Sequence, residues 1–253
     1  MFVITGGGTG IGRALAHALA ARGKRVLIIG RNEANLKETA RTNARIEFLT
    51  ADVACTSGRN KITAHLQHQP RIDGLIHNAA TVDPVARLGE VDEEQWREAM
   101  ETNVNAPLFL TQALQAKITT GRVLHIGSGA AYFPIMGWAA YCTSKAALSM
   151  ITRCLQLENN ITATSVMPGV VNTDFIRRAC SHTTEMDPEK IDFFNDLRDE
   201  NRMLTTETVA AFLTWLLLDT DKAQYVSQEW DMYDTSHHKY WLKSPHFVPP
   251  LER

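Results

Sequence analysis

The chain opens Phe2-Val3-Ile4-Thr5-Gly6-Gly7-Gly8-Thr9-Gly10-Ile11-Gly12, and residues 13–22 that follow are rich in alanine. Three apolar residues read as a short buried strand, the glycines as a tight turn, and the alanine-rich stretch as a helix. Strand, glycine turn and helix in that order give a glycine motif chemical meaning. Glycines let the backbone turn sharply and approach a pyrophosphate. The helix behind them offers free N–H groups and a positive dipole end to the anion. Gly6, Thr9, Gly10, Ile11 and Gly12 are therefore candidate cofactor contacts. The competing reading is a glycine loop that binds nothing.

Downstream, the same alternation continues. Residues 25–29, 46–49, 72–76, 122–128 and 161–167 read as strands, and residues 55–69, 93–117, 139–158 and 207–218 as helices. Residues 225–227 and 229–232 suggest a last strand. The second strand is apolar without a break, as in a parallel sheet covered on both faces. The pattern predicts an α/β fold, a Rossmann-type doubly wound parallel sheet in a single domain over residues 1–233. Within it, the polar stretch 174–203 reads as a lid that closes over substrate. Residues 234–253 read as a docking or partly ordered tail.

Where the strands end, chemistry-bearing residues collect. The second strand ends Gly30-Arg31-Asn32. An acid about 20 residues past the glycine turn usually holds the ribose 2′-OH of NAD. Here glycine and arginine stand in its place, and a guanidinium suits a 2′-phosphate, so NADP(H) is expected over NAD(H). Against this, Thr9 puts no second basic residue in the glycine loop. Asp52, beside Val53, either accepts a hydrogen bond from an adenine amino group or caps the next helix. His77-Asn78-Ala79-Ala80 closes the fourth strand. Small residues there let a cofactor ribose lie against the backbone, and His77 reads as structural. Pro107 interrupts the pattern of residues 93–117 and should free backbone carbonyls near Asn103 for ordered water.

Ser128 ends the fifth strand. Tyr141 follows thirteen positions on, and Lys145 four after that. Positions four apart share a helix face, so phenol and ammonium can stand side by side. The ammonium should lower the tyrosine pKa toward the working range and make it a proton donor and acceptor. Phe133, Ile135, Met136 and Trp138 lie between Ser128 and Tyr141 and either line a substrate pocket or pack the loop. Pro168, Gly169, Val171 and Thr173 follow the sixth strand at the same sheet edge. His125 reads as a satisfied core histidine. Adjacent His237 and His238 do not share a helix face, and no metal site is expected.

Composition narrows the possibilities. The 253 residues are 44% hydrophobic and 21% charged, with a net charge of −2. No basic field exists to draw nucleic acid or an anionic membrane. No apolar run is long enough to span a bilayer, and no charged n-region precedes the glycines. Cys55, Cys142, Cys154 and Cys180 form no C-x-x-C pair and read as reduced thiols of a cytoplasmic protein.

These residues together resemble the classical short-chain dehydrogenase/reductase family over residues 1 to about 233. The resemblance rests on Thr5 to Gly12, His77 to Ala80, Asn103, Ser128, Tyr141, Lys145, Pro168-Gly169 and Thr173. His77 and Ala80 depart from the family's N-N-A-G, where asparagine and glycine are usual. Gly137 to Cys142 and the segment ending Leu204-Thr205 resemble the sepiapterin reductase and benzil reductase branch. The resemblance implies an oxidoreductase that passes hydride between a nicotinamide dinucleotide and a carbonyl, often one of a vicinal dicarbonyl. It implies that Ser128 holds the substrate oxygen and Tyr141 protonates it. Lys145 would then tune Tyr141 and contact the nicotinamide ribose, and Asn103 would hold a relay water. It further implies a homodimer or homotetramer packed through helices around 93–117 and 140–158. Two other readings stay open: an NAD-linked alcohol or hydroxysteroid dehydrogenase, and a cofactor-sensing scaffold without catalysis.

Overall fold

A computed structural model describes residues 1–158, 161–182 and 184–251. Seven parallel strands form one sheet in the order β3-β2-β1-β4-β5-β6-β7. They are β1 (Phe2–Thr5), β2 (Val26–Gly30), β3 (Ile46–Thr50), β4 (Gly74–His77), β5 (Arg122–Ile126), β6 (Thr162–Met167) and β7 (Trp230–Asp231). The helices are α1 (Gly10–Ala21), α2 (Glu33–Ala40), α3 (Thr56–His65), α4 (Glu93–Met100), α5 (Ala106–Leu114), α6 (Ala139–Leu157), α7 (Asp174–Ala179), α8 (Pro188–Asp199), α9 (Thr206–Leu218), α10 (Lys222–Tyr225) and α11 (His238–Trp241). Chain order reverses between β1 and β4, which opens a crevice beyond the strand C-termini. The doubly wound Rossmann-type sheet expected from the sequence is thus the fold observed.

Register explains the two-sided core. Val3 pairs with Leu27 and Leu75, and Leu75 pairs with Val123. These point to one face and pack with Ile62 of α3 and Leu110 and Leu114 of α5. Their neighbours Ile4, Ile28, Ile76 and Leu124 point to the other and meet Leu15 and Leu19 of α1 and Phe212 and Leu213 of α9. Each such fully buried aliphatic side chain contributes roughly 1.5–3 kcal/mol.

One stretch differs from the sequence reading, and two more, the expected lid and tail, carry helices among the described residues. Residues 225–227 do not extend a strand: Tyr225 ends α10, and its hydroxyl donates to the Val123 carbonyl at 2.9 Å. Only Trp230 and Asp231 pair with β6. Residues 174–203 carry α7 and α8, whose Ala179, Ile191, Phe194 and Leu197 are buried. The tail packs inward as well. The His237 ring stacks on Phe212 at 4.8 Å and accepts the Trp241 indole N–H at 2.8 Å.

Between α4 and α5, residues Glu101–Asn105 wind as a π-helix. Pro107 has no N–H to return to the Asn103 carbonyl, which removes one rung of the regular helix ladder. The interruption expected at Pro107 therefore takes the form of a π-bulge, a form common at functional sites.

Candidate active site

A single cleft of about 2040 Å³ runs along the C-terminal edge of the sheet. Small-molecule sites usually hold about 300–1,000 Å³, so this one has room for a dinucleotide and a second ligand. Of the site residues expected from the sequence, all but Gly12, Asn103 and Met136 line it.

At one end lies the glycine turn. Gly6 and Gly10 adopt φ of 67° and 52°, a region that L side chains avoid. A Cβ on Gly12 would stand 2.3 Å from the Gly6 carbonyl oxygen, so Gly12 is there for close packing rather than for contact with a ligand. Thr9 is the N-cap of α1 but makes no side-chain cap bond, and the first turn holds no acid. The first N–H groups of α1 thus face the cleft without a capping side chain or a repelling carboxylate, which fits a pyrophosphate. Arg13 holds the loop in place by donating to the Gly8 carbonyl at 2.9 and 2.6 Å.

Beyond the turn, Arg31 is exposed on the cleft wall. Asn32 spends its side-chain oxygen on the Asn35 N–H, capping α2. Asp52 does not cap α3; Cys55 takes that place, accepting from the Gly58 N–H. Asp52 instead accepts from Ala54 N–H at 2.9 Å and lines the cleft beside Val53. The Asn78 amide donates to the carbonyls of Thr5 and Gly6, at 3.0 and 3.1 Å. Thr5 accepts from the N–H groups of Asn78 and Ala79. These bonds lock the end of β4 to the glycine turn, with Ala79 and Ala80 facing the cleft.

Ser128, Tyr141 and Lys145 meet at the far end. Ser128 caps a short turn, its oxygen accepting from Ala130 N–H at 3.1 Å. The Ser128 hydroxyl also stands close enough to the Tyr141 phenol to lower its pKa. The Lys145 ammonium lies 5.5 Å from the centroid of the Tyr141 ring and donates to the Ile126 carbonyl at 2.7 Å. The Tyr141 pKa is not lowered as the spacing led one to expect. Burial pushes it up to about 12, against the effect of Ser128, and burial lowers Lys145 to about 8. The phenol is buried more deeply than its cationic neighbour can offset.

Asn103 sits behind this group, 1% exposed. Its side-chain oxygen accepts from Thr81 N–H, and its amide donates to the Thr81 carbonyl and to Ser144. The side chain is a clamp between three elements. Its backbone carbonyl lies in the π-bulge, where Pro107 has no N–H to offer it. Beneath Lys145 the rings of His77 and His125 lie 5.1 Å apart. Thr152 gives its proton to the Leu148 carbonyl, so it accepts from His125 Nδ1. His125 Nε2 is then a bare acceptor with no partner among the described residues, so this histidine is only half satisfied there.

Pro168, Gly169, Val171 and Thr173 form the opposite wall. Backbone bonds tie the loop to Leu204, from Asn172 N–H to its carbonyl and from its N–H to Val170. Past them lies an apolar chamber. Trp138 stacks on Phe194 at 5.8 Å and meets Tyr141 edge-on at 5.6 Å, and Phe175 tilts against Tyr141 at 5.2 Å. Phe133 is 61% exposed at its rim. The sequence reading missed Phe175, Phe193 and Phe194 as cleft residues. The Asp187-Pro188 start followed by Ile191, Phe194 and Leu197 carries the helical period that would have found α8.

Comparison with known proteins decides the family. A family model described as short chain dehydrogenase matches residues 1–183. The chain belongs to the short-chain dehydrogenases. It is therefore an oxidoreductase of a family that uses NAD(P)H. The benzil reductase ((S)-benzoin forming) of Bacillus subtilis is 27% identical over 226 residues, covering 86% of this chain and 93% of that protein. The solved KRED1-Pglu enzyme superposes with a TM-score of 0.84 at 26% identity, covering 90% of this chain and 98% of that one. A short chain dehydrogenase from Shigella flexneri, solved with NADP, gives a TM-score of 0.75 at 27% identity, covering 91% and 95%. Among the described residues, no helix of this short-chain dehydrogenase is long and apolar enough to cross a membrane.

Proposed function

We propose that this protein is an NADPH-dependent carbonyl reductase that acts on a ketone or vicinal dicarbonyl. The observation that carries the reading is the meeting of Ser128, Tyr141 and Lys145 in the same cleft as the uncapped α1 N-terminus. When bound, the dinucleotide supplies hydride to the carbonyl carbon. Ser128 donates to the substrate oxygen and stabilises the charge that grows there. Tyr141, kept a neutral phenol by burial, donates its proton to that same oxygen. Lys145 stays cationic below about pH 8 and stabilises the phenolate left behind. The Asn103 carbonyl holds the water that returns a proton toward Lys145.

Gly6, Gly10, Ile11 and the start of α1 hold the pyrophosphate, and Asp52 and Val53 border the adenine. Arg31 reads the 2′-phosphate. Trp138, Phe133 and Phe175 receive the apolar part of the substrate, and residues 174–203 close over it. The relatives' names, benzil reductase and an NADP-bound dehydrogenase, favour the same reading. The test is a cofactor-oxidation screen against diketones, pterins, quinones and simple aldehydes with NADPH and NADH. Diketone reduction with NADPH preferred, and that preference lost in Arg31→Ala, is the expected result. Equal use of NADH by the unaltered protein would refute the 2′-phosphate assignment, and no carbonyl turnover would refute the reductase.

A further inference from the structure

Two residues beyond β7, Tyr233 lines the same cleft. Its ring lies on the Pro168–Thr173 wall: a Cβ on Gly169 would come within 2.8 Å of Tyr233 Cε2. Gly169 has φ of 77° and is the residue that lets the two approach so closely. The Tyr233 hydroxyl accepts the Val170 N–H at 3.2 Å. Its backbone is pinned too, with Tyr233 N–H donating to Asp231 at 2.9 Å. A tyrosine hydroxyl is both donor and acceptor. Here the acceptor side is used, while the hydroxyl proton goes to no other described residue. Burial raises the Tyr233 pKa, so the group keeps that proton.

Val170 places this donor. Its N–H holds the Tyr233 hydroxyl, and its side chain packs on the cluster that contains Tyr141 and Trp138. One residue therefore separates the free O–H of Tyr233 from the group that surrounds Tyr141. Ser128 and Tyr141 already serve one substrate oxygen in the proposed reaction. A third hydroxyl with a proton to give suits a second oxygen on the same ligand.

We infer that Tyr233 donates a hydrogen bond to the second oxygen of a vicinal dicarbonyl and so selects such substrates over simple ketones. This rests on the carbonyl-reductase reading. The second oxygen accepts the bond in the ground state and through the reaction, without changing its own bonding. Tyr233 is thus a specificity residue and takes no part in proton transfer to the reduced oxygen.

The experiment compares benzil with deoxybenzoin, the same skeleton with one carbonyl replaced by methylene. The unaltered protein and Tyr233→Phe are assayed with NADPH; for a ketone that is not turned over, its inhibition constant against benzil is measured. Phenylalanine keeps the ring on Gly169 and removes only the hydroxyl. The ratio of benzil to deoxybenzoin kcat/KM, or of the corresponding constants, should fall roughly five- to tenfold, the usual worth of one neutral hydrogen bond. If Tyr233 merely steadies the loop through Val170, both ketones suffer equally, up to complete loss, and the inference is overturned. An unaltered protein that reduces neither ketone overturns the reductase reading underneath. Normal benzil reduction with an unchanged ratio overturns the Tyr233 assignment alone.

Discussion

Tyr141 keeps its proton because its ring is buried between Trp138 and Phe175, with ring centroids 5.6 Å and 5.2 Å away. A neutral phenol is the form a reductase needs for protonating an alkoxide. Lys145 titrates lower, near 8, because its ammonium is buried. It carries charge below that pH and loses it above. The kcat/KM for NADPH, which reports the free protein's groups, should fall as pH rises through about 8. A flat profile to pH 9.5 would remove Lys145 from that role. The buried histidines act on stability. Burial, helped by Lys145, holds His125 down at about 3, and burial holds His77 well below its ordinary value. The unfolded chain therefore takes up these protons first as pH falls. Their contribution is intact above about pH 6.5 and is lost as pH falls below it, for His125 down toward about 3, on the order of 1 kcal/mol per pH unit. Melting from pH 7.5 to 5 should show this loss, and His125→Asn should make the slope shallower. An unchanged slope would mean that His125 is protonated in the folded protein.

Among the elements, the π-bulge Glu101–Asn105 and the pair α7–α8 shape the site. Asn103 makes three hydrogen bonds from the bulge, the one to Ser144 fully buried. Asn103→Ala strands Thr81 and Ser144 and should cost about 2–4 kcal/mol in denaturant unfolding, at about 1–3 kcal/mol for each unmet partner. A loss below 0.5 kcal/mol, an order-of-magnitude floor for one such bond, would show that the clamp is idle. The strands and α6 were legible in the sequence because apolar runs and glycine or proline punctuation mark them directly. Ser128, Tyr141 and Lys145 were legible as an arrangement, since strand end and helical spacing fix their places. Their proton states were not, because burial depends on Trp138 and Phe175 arriving from elsewhere in the chain. The helix α8 was hidden by charge: Glu189, Lys190, Asp192 and Asp196 surround its buried Ile191, Phe194 and Leu197. Tyr233 carries no local signal, as its meaning depends on Gly169, 64 positions earlier. If residues 174–203 act as a lid, their amides should exchange faster than those of β4 and β5 and slow when NADPH and a ketone are both present. Equal protection with and without ligands would leave a fixed wall.

For the molecule as a whole, the sheet edge carries the cleft, and helices away from it turn some apolar side chains to solvent. Leu108 and Phe109 of α5 and Met150 of α6 are exposed, at 36%, 43% and 55%. Exposed apolar patches of this kind commonly meet another protein surface. We propose that the expected homodimer or homotetramer packs through these helices. Light scattering should give two or four times the chain mass, and Phe109→Asp with Met150→Asp should give one. A monomeric unaltered protein would refute the assembly. The central claim concerns a single proton. In Tyr141→Phe, NADPH should bind with unchanged affinity while benzil-dependent NADPH oxidation falls by at least about 10²–10⁴, the usual worth of a general acid. Benzil reduction within about threefold of the unaltered rate, well short of that range, would contradict the account at its root.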